Sequence, residues 1–140
     1  MVVSQDHRSL LFDIPLNAPL TMDPKGRVTL PTRIFGALKE RSMVWVPFMG
    51  HLRGYTPTVW TERVEAPLLA EDSWDPIVAE RQRRRLGHAC DLNVDEHGRF
   101  VLPPNLRQKA GLSRDCVILS YLDRLELWDL ARWQEWEQRE

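Results

Sequence analysis

Leu20-Thr21-Met22-Asp23-Pro24-Lys25-Gly26-Arg27-Val28-Thr29-Leu30-Pro31 returns 72 residues later as Leu92-Asn93-Val94-Asp95-Glu96-His97-Gly98-Arg99-Phe100-Val101-Leu102-Pro103. Six of the twelve positions are identical: Leu, Asp, Gly, Arg, Leu and Pro. A match this dense marks an internal repeat, and it decides the fold. The echo continues further on, where 52–60 (LRGYTPTVW) lies over 125–133 (LELWDLARW), now 73 residues apart. One residue has been gained between the two blocks.

Each copy reads the same way. A strand with alternating apolar positions (Cys90, Leu92 and Val94 in the second copy) enters an Asp-x-x-Gly-Arg turn. A second strand leaves it, over 28–30 and 100–102, and Pro31 and Pro103 stop that strand. A short helix follows, over 104–110 in the second copy, with Gly111 placed to end it. Two more strands come next, 43–48 with a weaker partner and 116–121 with 125–128. A helix closes each copy. In the second it opens at Asp129 as N-cap and carries Leu130, Trp133 and Trp136 three apart on one face. In the first, Pro67 is expected to break it. Ser73 is then expected to cap a linker helix running past Pro76 to Gly87 and holding Arg81, Arg83, Arg84 and Arg85.

The expected fold is therefore α+β: two pseudo-symmetric β-rich repeats forming one compact, β-barrel-like domain with short helices. Residues 1–18 read as a tail, 19–66 as the first repeat, 67–88 as a linker with an Arg-rich helix, and 89–140 as the second repeat.

The turn has a physical logic. Asp23 and Asp95 open it and can accept backbone N–H groups from the residues that follow. Gly26 and Gly98 adopt positive φ without steric cost. Arg27 and Arg99 then stand at the start of the outgoing strand, near their own aspartates. Two readings stay open for each arginine. It can lock the hairpin by pairing with its Asp, or it can be presented by a rigid loop to a phosphate or a base edge. Lys25 at the tip and Arg33 beyond favour presentation in the first copy, whereas Glu96 opposes it in the second.

Charge agrees with this asymmetry. The 140-residue chain carries a net charge of −1, which counts against a simple basic nucleic-acid binder. Yet 24–41 holds five cations against one anion, and 123–140 holds six carboxylates against three arginines. Sixteen of the nineteen cations are Arg, whose planar fork suits phosphate. The Arg81–Arg85 cluster reads first as a solvated helix face, and the tryptophans of the last helix read as packing residues. Cys90 and Cys116 lack partners at metal-ligand spacing and read as small apolar residues, and no metal, cofactor or small-molecule substrate is expected. The opening residues lack the apolar core of a signal peptide, and no run approaches a membrane span, so a cytoplasmic location is expected.

The paired Asp-x-x-Gly-Arg-(three residues)-Pro motif resembles the MraZ family of bacterial transcriptional regulators. So do Leu86-Gly87-His88-Ala89, Leu106-Arg107, Ala110-Gly111-Leu112, Leu125-Glu126-Leu127-Trp128 and Trp133. The resemblance spans about 20–136. It departs at 14–20, where a Pro-bearing stretch and a longer tail replace the family's opening strand, and at 49–55. What the resemblance implies is an AbrB-like swapped-hairpin fold, ring-like homo-oligomers, and binding to repeated short elements in double-stranded promoter DNA. It further implies control of a division and cell-wall gene cluster that includes the protein's own gene, with association to the nucleoid. The family's DNA-contacting arginine carries over to Arg27 and Arg99. A divergent relative that keeps the oligomer as an interaction or scaffold protein is the alternative.

Overall fold

The computed structural model describes residues 16–121 and 123–139. The first copy supplies β1 (Leu16–Thr21), β2 (Arg27–Thr29), α1 (Thr32–Ala37), β3 (Ser42–Phe48), β4 (His51–Tyr55) and two short helical pieces, α2 (Pro57–Val59) and α3 (Ala66–Leu69). After the linker helix α4 (Pro76–Leu86), the second copy supplies β5 (Cys90–Asn93), β6 (Arg99–Val101), α5 (Pro104–Lys109), β7 (Asp115–Tyr121), β8 (Arg124–Asp129) and α6 (Leu130–Gln138).

The sheet order shows how the copies combine. Six antiparallel strands run β1-β7-β8-β4-β3-β5, and β2 pairs with β6 in a separate ribbon. Exchanging the two copies reverses the six-strand order and leaves it unchanged. The opening strand of each copy thus pairs with the third strand of the other, β1 with β7 and β5 with β3. The pseudo-two-fold axis passes between Val28 and Phe100 in the ribbon and between Arg53 and Glu126 in the sheet, each opposite its own counterpart. Isolated hydrogen bonds obey it too. The Met22 amide donates to the Arg114 carbonyl at 2.8 Å, and the Val94 amide donates to the Arg41 carbonyl at 2.9 Å.

The core lies between sheet and ribbon. Alternation along each ribbon strand sends Val28 and Phe100 inward, where they meet Trp45, Leu52, Ile118, Leu125 and Leu127, with Ile34 and Leu106 from α1 and α5. The barrel-like enclosure takes this form, and it is symmetric in backbone but not in volume. Trp45 stacks on Phe100, with ring centroids 5.3 Å apart at 14°. It can do so because its cross-strand neighbour is Gly54, where an added Cβ would lie 2.7 Å from the indole. The corresponding pair in the second copy is Ile118 and Leu127. One large and one absent side chain fill what two medium ones fill opposite.

Three expectations need correcting. Pro67 does not end the first closing helix: the backbone widens into a π-helical stretch over Trp60–Glu65, in which the Ala66 amide donates to Thr61 five residues back, and the helix continues as α3. Widening of this kind absorbs a residue whose ring and missing N–H disturb regular helical bonding. Ser73 is not the cap of α4. Asp75 is, its carboxylate accepting from the Ile77 amide at 2.9 Å with Pro76 at the first helical position. Asp129 does not cap α6 with its side chain; its carboxylate accepts from the Ser113 amide and hydroxyl, at 3.0 and 2.6 Å. Trp136 stays 43% exposed while its ring stacks on Trp133, with centroids 5.0 Å apart at 20°.

Cys116 is buried and its thiol is pushed up to about 12, by burial first and then by Asp129 and Asp115. Cys90 on the outer strand β5 is only half-buried. In α4, Arg81 pairs with Glu71, and Arg83 and Arg84 pair with Glu80. β1 takes in residues 16–18, and the rest of the expected tail lies outside the described residues. No helix among the described residues is long and apolar enough to cross a membrane.

Candidate nucleic-acid interface

Both Asp-x-x-Gly-Arg turns adopt one conformation. Asp23 Oδ1 accepts from the amides of Lys25 and Arg27, at 3.0 and 2.8 Å, and Asp95 Oδ1 accepts from those of His97 and Arg99, both at 2.9 Å. The Gly26 amide donates to the Asp23 carbonyl and the Gly98 amide to the Asp95 carbonyl, at 2.9 and 3.0 Å. Gly26 has φ +85° and Gly98 +80°, a region L side chains avoid. A Cβ at Gly26 would also meet the Leu102 carbonyl at 2.7 Å. Only glycine fits there, because the turn of one copy packs directly on the chain of the other.

Each carboxylate also takes its arginine's Nε, at 2.5 Å for Asp23–Arg27 and 3.1 Å for Asp95–Arg99. The two readings of these arginines are therefore compatible. Nε faces inward to the turn, while about half of each arginine side chain is exposed, 53% for Arg27 and 49% for Arg99. Held at Nε, a guanidinium keeps its two terminal amino groups for an external acceptor.

The aspartates stay charged well into acid. Hydrogen bonds from the following backbone amides, Arg27 to Asp23 and Arg99 to Asp95, are the main causes holding both below their ordinary value of 3.8. Stability carried by these groups is complete above that ordinary value and is lost as pH falls through the lower folded one. Melting curves of the wild type and an Asp23→Asn/Asp95→Asn variant should therefore differ by a constant amount between pH 7 and 5. They should converge only below about pH 4. A difference that shrinks already between pH 7 and 5 would show that other groups titrate with the turns.

The ribbon brings the two turns onto one surface. Arg27 lies opposite Val101 and Thr29 opposite Arg99, and all four project outward while Val28 and Phe100 project inward. Beside them lies a hollow of about 690 Å³ lined by Asp23, Arg27, Thr29, Arg99, Arg107 and Arg114, among others. A second hollow, of about 420 Å³, also has Arg27 and Arg99 in its wall.

The surroundings of the two turns differ. Arg107 of α5 abuts the first turn, its Nε donating to the Leu102 carbonyl at 3.1 Å and an Nη reaching the Pro24 carbonyl at 3.5 Å. The residue that abuts the second turn in the same way, against Gly98, is Phe35. Exposed Lys25 stands at the first tip, whereas the second tip holds Glu96, 3.6 Å from His97. The first turn thus gathers Lys25, Arg27, Arg107 and Arg114. Arg33 is exposed on α1 and lines neither hollow. The sequence marks Arg107 only through the family resemblance and Arg114 not at all, and assigns neither to this turn, because Arg107 lies 83 residues beyond Pro24. The swapped pairing was the signal that could have found them.

Proteins of similar sequence are known. The family described as MraZ protein, antitoxin-like, matches residues 86–140. A transcriptional regulator MraZ of Shewanella denitrificans is 34% identical over 120 residues, covering 83% of this chain and 79% of the relative. The chain belongs to the MraZ family. The MraZ regulators of Thioalkalivibrio sulfidiphilus and Proteus mirabilis are each 36% identical, covering 88% and 83% of this chain and 87% and 79% of their own. These MraZ relatives are named as transcriptional regulators and not as enzymes. No group of His, Cys, Asp and Glu that could hold a metal ion occurs among the described residues.

Proposed function

We propose that the chain is a sequence-specific regulator that binds repeated promoter elements in double-stranded DNA. In this reading the exposed face of the β2–β6 ribbon meets the duplex, with Lys25, Arg27, Arg33 and Arg99 as contacts and Asp23, Gly26, Asp95 and Gly98 shaping the turns. Arg107 and Arg114 join the contacts of the first turn. The observation that carries it is the pair of guanidinium groups anchored at Nε and half exposed on one surface, with cations gathered round the first turn.

One chain makes few phosphate contacts, so tight binding needs several copies acting together. A ring-like homo-oligomer in the nucleoid, reading direct repeats upstream of its own division and cell-wall gene cluster, meets that need, since linked sites gain avidity without new contacts. The alternative is an oligomeric scaffold with weakened DNA binding, which the net charge of −1 and Glu96 favour. Titrating a labelled duplex from upstream of the gene, against a scrambled duplex, separates the two. A regulator with about six to ten phosphate contacts should lose roughly three orders of magnitude or more in affinity between about 50 and 200 mM salt, and should prefer the native duplex. Weak binding that ignores both sequence and salt would leave the scaffold.

A further inference from the structure

Of the four side chains on the outer face of the ribbon, Arg27, Thr29 and Arg99 are polar. The fourth, Val101, is apolar and 53% exposed. Arg27 stands directly opposite it across the ribbon, and Arg99 lies two residues before it on the same strand and the same side. Val101 therefore neighbours both guanidinium groups, each tied to its aspartate at Nε. A lone exposed valine needs no explanation on an ordinary surface. Between two presented cations it is the one point of this face where a ligand atom is met without a hydrogen bond.

The pseudo-two-fold supplies a comparison. The mate of Val101, 72 residues earlier, is Thr29, of nearly the same size but with a hydroxyl. Thr29 lies in the hollow that holds Arg107 and Arg114. Val101 lies in the other hollow, beside Leu92 and Phe100. The carboxylate in that wall, Asp95, is occupied by Arg99 and two backbone amides. One side of the ribbon is thus polar and basic, and the other offers an apolar contact.

Duplex DNA has one apolar group for such a surface. A two-stranded ribbon fits the major groove, where thymine alone of the four bases carries a methyl. Residues two apart on a strand are separated by about 7 Å, the length of about two base steps, so Val101 reaches base pairs beside those that Arg99 addresses. We propose that Val101 is a specificity-determining residue that packs on a thymine methyl in the major groove, while Arg27 and Arg99 take the polar contacts beside it. This inference rests on the DNA-binding reading and adds to it the identity of one base. Burial of a single methyl favours thymine over uracil about fourfold.

The test is a uracil scan with the full chain. Thymines of the duplex from upstream of the gene are replaced one at a time, in both strands, by uracil, which differs only in lacking the methyl. At least one replacement should weaken wild-type binding about fourfold. Val101→Ser should bind the unaltered duplex about fourfold more weakly, with the wild-type salt dependence, and should not distinguish thymine from uracil at that position. Val101→Ile keeps an apolar side chain and should still distinguish them. Melting temperature, and the number of copies per particle by light scattering, should be the same for all three chains. A wild type that prefers this duplex to a scrambled one yet ignores every uracil would overturn the methyl contact and leave the DNA-binding reading standing. So would a uracil penalty that survives in Val101→Ser. A wild type without preference for the duplex would overturn both readings. A Val101→Ser chain with an altered number of copies would place Val101 between subunits and overturn the proposal.

Discussion

Alanine at Arg27 is expected to weaken DNA binding at least tenfold, and several times more than alanine at Arg99. A base-edge contact from one guanidinium is worth roughly 1–3 kcal/mol, which is about fivefold to a hundredfold or more for a single loop. Several loops acting on one DNA multiply that loss. The inequality between the two positions follows from their surroundings. Arg27 shares its turn with Lys25 and has Arg107 against that turn, while Arg99, which lines the same hollow, shares its turn with Glu96, whose charge repels phosphate. Loss of the Arg27 side chain should leave the turn folded, because Asp23 still accepts from the backbone amides of residues 25 and 27. An exposed ion pair adds little to stability. Melting should accordingly stay near that of the wild type. The salt dependence then tells which acceptor is used: a shallower slope indicates a lost phosphate contact, and an unchanged slope with relaxed sequence preference indicates a lost base contact. Equal losses at Arg27 and Arg99, or a folded Arg27→Ala chain that binds normally, would remove the first turn from this role.

The largest stability effect is expected in the core, at Trp45 and Gly54. Trp45→Ala should cost about 3–5 kcal/mol, for it empties the centre of the core and leaves Phe100 without its stacking partner. For a chain of this size that lowers the melting temperature by on the order of 10–20 °C. Gly54→Leu alone should also destabilise strongly, since its Cβ already meets the indole at 2.7 Å. The second copy shows what this backbone accepts instead, namely Ile118 opposite Leu127. Combining Trp45→Ile with Gly54→Leu should recover most of what each change loses alone. It also removes the Trp45 indole N–H, which is buried without a hydrogen-bond partner among the described residues. A double-mutant cycle measures this directly. Simple additivity of the two losses would show that the copies are not interchangeable at these positions.

The fold was legible in the sequence to an unusual depth because it is written twice. Identical Asp, Gly, Arg and Pro at one spacing located both turns, and the strands flanking them followed from alternation. What one copy does to the other was not legible from spacing. Pairing of β1 with β7 rather than within its own copy depends on which edges meet, and local pattern is silent on that. Arg107 and Arg114 were missed as neighbours of the first turn for the same reason. The helix boundaries failed on local competition. Ser73, Asp72 and Asp75 could all begin a helix, and the carboxylate directly before Pro76 prevailed. Asp129 had a better donor pair in Ser113 than in its own helix.

The exchanged strands also set an order of events during synthesis. The chain leaves the ribosome from its N-terminus, and once residue 86 is made, β3 and β4 are the one pair of neighbouring described strands of which both members exist. β1 waits for β7, with Leu16 meeting Ser120 and Thr21 meeting Asp115, and β2 waits for β6. Closing loops of that length comes before any reward from the contacts it makes. The outer edges of the β3–β4 hairpin stay open meanwhile, with β5 the first strand able to cover one of them. A protein made of two repeats is thus obliged to fold as one, late, when nearly all of it exists.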